Sequence, residues 1–206
     1  LHHGQDRLCR AGAAGMSVVI DGLQYANWSE KIFRQMRAGG VDAVHVTITY
    51  HENFRETVLN IEAWNRHFER FPDLIFQGFE AGDVTRAKET GRTAIFFGAQ
   101  NPSCIEDDIG LVEVLHRLGL RFMQLTYNNQ SLLATGCYEA EDTGLTRMGR
   151  EVVEEMNRVG LVVDMSHSGE RSTLDTIAHS SCPIAITHAN PATWHPARRN
   201  KTDRVL

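Results

Sequence analysis

The sequence predicts an α/β fold, a TIM-type (β/α)8 barrel of which about six strand–helix units fall within the 206 residues. Three observations carry this. Apolar runs of strand length alternate with amphipathic stretches of helix length along the chain. Those runs are apolar almost throughout, as in a parallel sheet covered on both faces. No Gly-rich phosphate loop follows an early strand, and such a loop is the usual mark of the competing doubly wound sheet.

The elements follow in order. Ser17–Asp21 reads as a first strand, then a helix over about Ser29–Ala38 stops at Gly39-Gly40. Asp42–Thr49 is a second strand. Asn53 then caps an amphipathic helix to about Arg70, with Val58, Ile61, Trp64 and Phe68 at helical spacing. A further helix over about Ala81–Thr90 ends at Gly91. Thr93–Gly98 is the third strand, and a helix from about Asp108 to Leu118 stops at Gly119. Arg121–Thr126 is the fourth strand, and after a polar loop a helix runs from Gly144 to Val159 with Gly160 as its stop. The fifth and sixth strands are the apolar runs ending in His167 and His188, with a helix over about Glu170–His179 between them. Residues 1–15 lack the apolar centre of a signal peptide and read as a disordered leader or remnant ahead of the barrel domain, 16–206. His2-His3 within it reads as incidental.

Composition narrows the partners. A net charge of -5 without a dense basic run excludes a nucleic-acid surface; Arg198-Arg199-Asn200-Lys201 is only a short patch. No apolar stretch reaches the roughly 20 residues of a membrane span. The four cysteines, Cys9, Cys104, Cys137 and Cys182, are scattered, as expected of reduced thiols in a cytoplasmic protein.

The chemistry concentrates in the two histidines. Each ends an apolar run, so both rings emerge at the carboxyl ends of neighbouring strands, the rim where barrel active sites are built. Paired imidazoles there begin a metal site; taken alone, they read first as hydrogen-bonded strand ends. Asp164, inside the fifth strand, reads as an anchor for backbone or imidazole, and His45 in the second strand as structural. Trp194 and His195 lie in the loop after the sixth run, facing substrate or covering the barrel. No lysine stands at a strand end and no Gly-x-Ser-x-Gly elbow occurs, which sets aside Schiff-base and serine-hydrolase chemistry.

The stretch Gly144-Leu-Thr-Arg-Met-Gly-Arg-Glu-Val-Val-Glu-Glu-Met-Asn-Arg-Val-Gly-Leu-Val-Val-Asp-Met-Ser-His167 resembles the signature of the membrane (renal-type) dipeptidase family. The likeness continues through Pro183–His188 and Arg198-Arg199-Asn200. It is weaker at Val18–Gly22, Phe97–Gln100 and Gly119–Thr126, and covers about Met16 to Leu206. The resemblance implies a zinc-dependent hydrolase on an amidohydrolase-type barrel. It places metal ligands at His167 and His188, and a substrate-carboxylate clamp at Arg199, whose planar fork suits that task.

Other positions depart from the family pattern. Its first-metal His-x-Asp falls on Leu23 and Tyr25, its bridging glutamate on Gln100, and its substrate-polarising histidine on Tyr127; a last aspartate would lie beyond Leu206. Leucine cannot ligate, and an amide carries no charge with which to bridge two dications. One ion is therefore expected rather than two, zinc or another divalent metal, with Gln100, Tyr127, Cys137 or an acid beyond Leu206 as third donor. The expected function is a metal-dependent, dipeptidase-like hydrolase, with Gln100 and Tyr127 as catalytic or pocket groups and Arg199 and Tyr127 binding substrate. The alternative is a diverged barrel that binds a small molecule without hydrolysis. The expected partner is a dipeptide or small-molecule substrate, with a homodimer possible.

Overall fold

The structure is a computed structural model describing residues 17–206, so the expected leader, 1–15, lies outside the described residues. Its centre is one parallel sheet of β1 (Ile20–Gln24), β2 (Ala43–Thr49), β3 (Ile75–Gln77), β4 (Thr93–Ala99), β5 (Leu120–Gln124) and β6 (Val162–Asp164). The path runs β1-β2-β4-β5-β6, and β3 pairs with β4 beside it. Around the sheet lie α1 (Glu30–Ala38), α2 (Phe54–Arg70), α3 (Gly82–Thr90), α4 (Gly110–Arg117), α5 (Arg147–Val159) and α6 (Glu170–His179). No helix among the described residues is long and apolar enough to cross a membrane.

The expected α/β half-barrel is present, with two exchanges among its strands. Residues 75–77 form a strand too short for any period to reveal. They occupy the first half of one edge of β4, at Thr93–Ile95, while β5 takes the second half at Phe97–Ala99. Conversely, 183–188 is not a regular strand: it joins the sheet by a single bridge between Ala185 and Asp164. Its backbone-to-backbone bonds to the sheet are Met165 N–H to Ala185 O and Ala185 N–H to Val163 O, and Pro183 has no N–H to add. The first strand is displaced to Ile20–Gln24. The helix expected from Gly144 begins at Arg147, where the Thr146 side chain accepts from Gly149 N–H. The helix expected from Asp108 begins at Gly110.

Local chemistry explains the helices that position the site. Asn53 closes a capping box with Glu56 at the start of α2, and α2 buries Ile61 and Trp64 against the sheet while α1 buries Phe33 and Met36. Trp28, Phe33, Trp64, Phe68 and Phe97 pack as one aromatic group. α5 turns Val152, Val153 and Met156 inward and ends at Gly160, whose φ of 83° is the left-handed stop that glycine permits.

The sheet curls until its two margins meet at the rim. A Cβ on Gly22, in β1, would lie 2.6 Å from Thr187 O, so only glycine allows this approach. Across the interior, a Cβ on Gly98 would overlap the ring of His45, which fills that space, stacks on Phe122 and bonds Gly22 O through Nδ1 at 2.9 Å. His45 is thus structural, as expected. Below the rim the curl leaves a cavity of about 510 Å³ lined by Ile20, Val44, Phe96, Phe122 and Val162.

Candidate metal centre at the carboxyl rim

The strands deliver their carboxyl-terminal residues to one mouth. Gln100 directly follows β4, His167 follows β6 by three residues, and His188 ends the 183–188 run. Three atoms converge: His167 Nε2 and His188 Nε2 are 3.0 Å apart, and Gln100 Oε1 lies 3.0 Å from the first and 3.1 Å from the second. The two imidazoles face each other, ring centroids 5.0 Å apart.

Neighbouring hydrogen bonds decide which ring nitrogens carry protons. Asp164, fully buried, accepts from the N–H and O–H of Ser166 and from the O–H of Thr187. Having donated to Asp164, the Thr187 hydroxyl accepts from His188 Nδ1–H at 2.7 Å. His167 Nδ1–H donates to Asn128 Oδ1 at 2.7 Å. Both Nε2 atoms are thereby left as lone pairs. The Gln100 amide donates its Nε2–H to Thr47 Oγ1 at 2.8 Å, which turns its oxygen toward them. Three electron-rich atoms face one another with only the Arg199 guanidinium, 3.0 Å from His167 Nε2, to offset them.

The rings are also held neutral. Burial, reinforced by Arg199, His188 and Lys201, pushes the His167 imidazole down to about 2. Burial pushes His188 down to about 4 against the opposing pull of Asp164. Neutral imidazole with a fixed Nδ1 partner is the metal-binding form.

This donor set fits one divalent ion on two imidazoles and an amide oxygen, and does not fit two. Leu23 offers no donor, and Tyr25 is largely exposed. Among the described residues no group of three or more His, Cys, Asp or Glu gathers that could hold a metal. Of the third donors considered, Gln100 is in place. Cys137 is not: its Sγ contacts Asn128 Oδ1, beside the Nδ1 side of His167.

The remaining expected residues are accounted for. Tyr127 lays its ring against His167, centroids 4.3 Å apart. Arg199 donates to Ser166 O as well as to the His167 ring, which leaves part of its five-donor fork uncommitted. Asp164 is the anchor expected of it. Trp194 is 88% exposed and His195 is also exposed, so both lie outside the core of the site.

Sequence reasoning missed the supports. Lys201, buried, donates to Ser168 O at 2.6 Å, and burial pushes its ammonium down to about 8. With Arg199 on Ser166 O and Cys137 N–H on His167 O, the three successive carbonyls around His167 are each pinned. The signal for Lys201 was its place two residues after Arg199, across a turn closed by Asn200 N–H on Ala197 O. Asn128, in a left-handed turn at φ 68°, and Thr47 left no signal of comparable strength.

A curled parallel sheet with a histidine pair at its carboxyl rim is the architecture of an amidohydrolase-type barrel. The comparisons agree. A solved amidohydrolase from Pseudomonas aeruginosa is 42% identical with a TM-score of 0.89, over 91% of this chain and 57% of that one. A metallo peptidase from Rhodobacter sphaeroides, liganded with a phosphinate mimic of the dipeptide L-Ala-D-Ala, shares the fold at a TM-score of 0.78 and 19% identity, over 91% of this chain and 69% of its own. Dipeptidase tcpJ of Claviceps purpurea (strain 20.1) is 30% identical over 80% of this chain and 38% of its own length. Dipeptidase verJ of Clonostachys rogersoniana is 32% identical over 76% and 41%. This chain thus spans about two fifths of those two dipeptidases. The model of the membrane dipeptidase family (peptidase family M19) matches residues 22–206, and the chain belongs to that family.

Proposed function

We propose that the rim centre makes the protein a metal-dependent hydrolase of a dipeptide or similar small amide bearing a free carboxylate. The observation that carries this is the meeting of His167 Nε2, His188 Nε2 and Gln100 Oε1 within 3.1 Å, all as acceptors. A divalent ion there, zinc in the first place, supplies Lewis-acid polarisation of a carbonyl and a bound water acidic enough to act near neutral pH.

The chain's own residues do the rest. Asp164, through Thr187, holds the His188 tautomer, and Asn128 holds that of His167. Tyr127 forms a wall beside the His167 ring and limits where an amide can lie. Arg199, with uncommitted N–H groups, receives the substrate carboxylate as a planar pair.

The test is metal content followed by turnover. Pure protein binds about one ion per chain, His167→Ala loses it, and hydrolysis of a dipeptide panel stops with a chelator. Equal metal content in wild type and variant, or turnover indifferent to chelator, overturns the reading. A second reading has its own support. Turning the Gln100 amide over would let its NH2 group donate to both ring lone pairs, satisfying the pocket without an ion. The metal-free substitutions at Leu23 and Tyr25 favour it, and it predicts ligand binding without turnover.

A further inference from the structure

Three tyrosines stand at the mouth beside the histidine pair. Tyr25 directly follows β1, Tyr50 directly follows β2, and Tyr127 lies just beyond β5. Their rings meet at successive right angles: Tyr25 and Tyr50 at 5.8 Å between centroids and 86°, Tyr50 and Tyr127 at 5.7 Å and 81°. The wall runs from solvent, where Tyr25 is 74% exposed, to His167, on which Tyr127 rests. A tyrosine so exposed adds little to the core, so packing does not account for it. Perpendicular rings offer faces in more than one direction, and an aromatic face attracts cations.

The charges around the wall give it a polarity. Glu52 is the nearby carboxylate, and one of its oxygens is already taken by the N–H groups of Tyr50 and His51. The Arg199 cation meets the His167 ring at its edge, bonded to its Nε2. A primary ammonium would need several hydrogen-bond acceptors, which ring faces do not supply; a methylated ammonium needs only the faces.

We propose that Tyr25, Tyr50 and Tyr127 form a subsite for a quaternary or tertiary ammonium group, so that the ligand of this mouth is a short zwitterion with its carboxylate toward Arg199. This deepens the reading of the rim as a substrate site, from which it takes the role of Arg199, and it does not require hydrolysis.

The experiment compares two probes of one shape by calorimetry, trimethylammonioacetate and 3,3-dimethylbutanoate. Both carry the same carboxylate and three methyl groups and differ only in the charged nitrogen. The wild type binds the ammonium probe about tenfold or more tightly than the carbon probe. Tyr25→Leu and Tyr50→Leu bring the ratio close to one, while Tyr25→Phe keeps it. Because Tyr25 is exposed, its variants test the subsite even if Tyr50→Leu fails to fold. Equal affinities in the wild type, no binding of either probe, or a ratio unchanged in Tyr25→Leu overturns the proposal. Repeating the titration with chelator separates the two readings. A preserved ratio in protein that holds no metal keeps the subsite and removes the hydrolase, and metal-holding protein without the ratio does the reverse.

Discussion

The rim and the base of the same strands are built to different standards of completeness. At the rim, Ser166, His167 and Ser168 have every backbone N–H and C=O engaged, by Asp164, Gln124, Met165, Arg199, Cys137 and Lys201. At the base, Val18 and Val19 just before β1 and Ile20 at its start are exposed among the described residues. There the buried Nε2 of His45 has no hydrogen-bond partner among the described residues, and an apolar cavity stands open. At the rim the backbone of 166–168 is fully engaged, although Gln124 Nε2 beside it has no partner among the described residues, while at the base apolar surface is exposed. The rim is therefore rigid and intolerant, while the base is permissive.

The contrast is broken most severely at Asp164. Asp164→Ala removes the acceptor shared by Ser166 and Thr187 and leaves their donors buried, at a cost of about 3–5 kcal/mol. Urea unfolding should show that loss or the disappearance of a cooperative transition. Gly22→Ala comes next. Its methyl would press on the backbone oxygen of Thr187, which cannot swing away as a side chain would. A loss of about 1–3 kcal/mol is expected, together with weaker metal retention, because Thr187 orients His188.

A shallower effect is expected from pH. The His167 and His188 rings are held below their ordinary values in the fold, so the unfolded chain takes up the protons first. Their contribution is complete above the unfolded value near 6.5 and is lost as pH falls toward about 4 and below. The Tm of the wild type should fall over that range, and fall less for a variant with both rings replaced by glutamine. Smallest of all is Val19→Lys, just before β1. Stability should change by no more than about 0.5 kcal/mol, while light scattering should show less association, since a charged edge resists strand pairing.

Much of this contrast was legible in the sequence, and the illegible part has one cause. His167 and His188 were visible because each ends an apolar run, and a strand end in a barrel is a rim position whatever the details; Gln100 was visible because the family resemblance places a bridging glutamate there. Asn53 announced α2 through its capping pattern. By contrast, β3 is three residues long, and 183–188 has the composition of a strand but gains only one bridge. Whether such segments pair depends on neighbours distant in sequence. Lys201, Asn128 and Thr47 act through contacts 33, 39 and 53 residues away, and no local period encodes those.

The divided edge of β4 has a consequence of its own. A strand that serves β3 with its first three residues and β5 with its last three changes partner at Phe96. The unit from β3 through α3 is thus clipped onto the sheet ahead of the rim, outside the main path. Amides of Ile75–Gln77 should exchange with solvent sooner than those of β5, which would mark that unit as an appendage able to loosen while the mouth of the barrel stays shut.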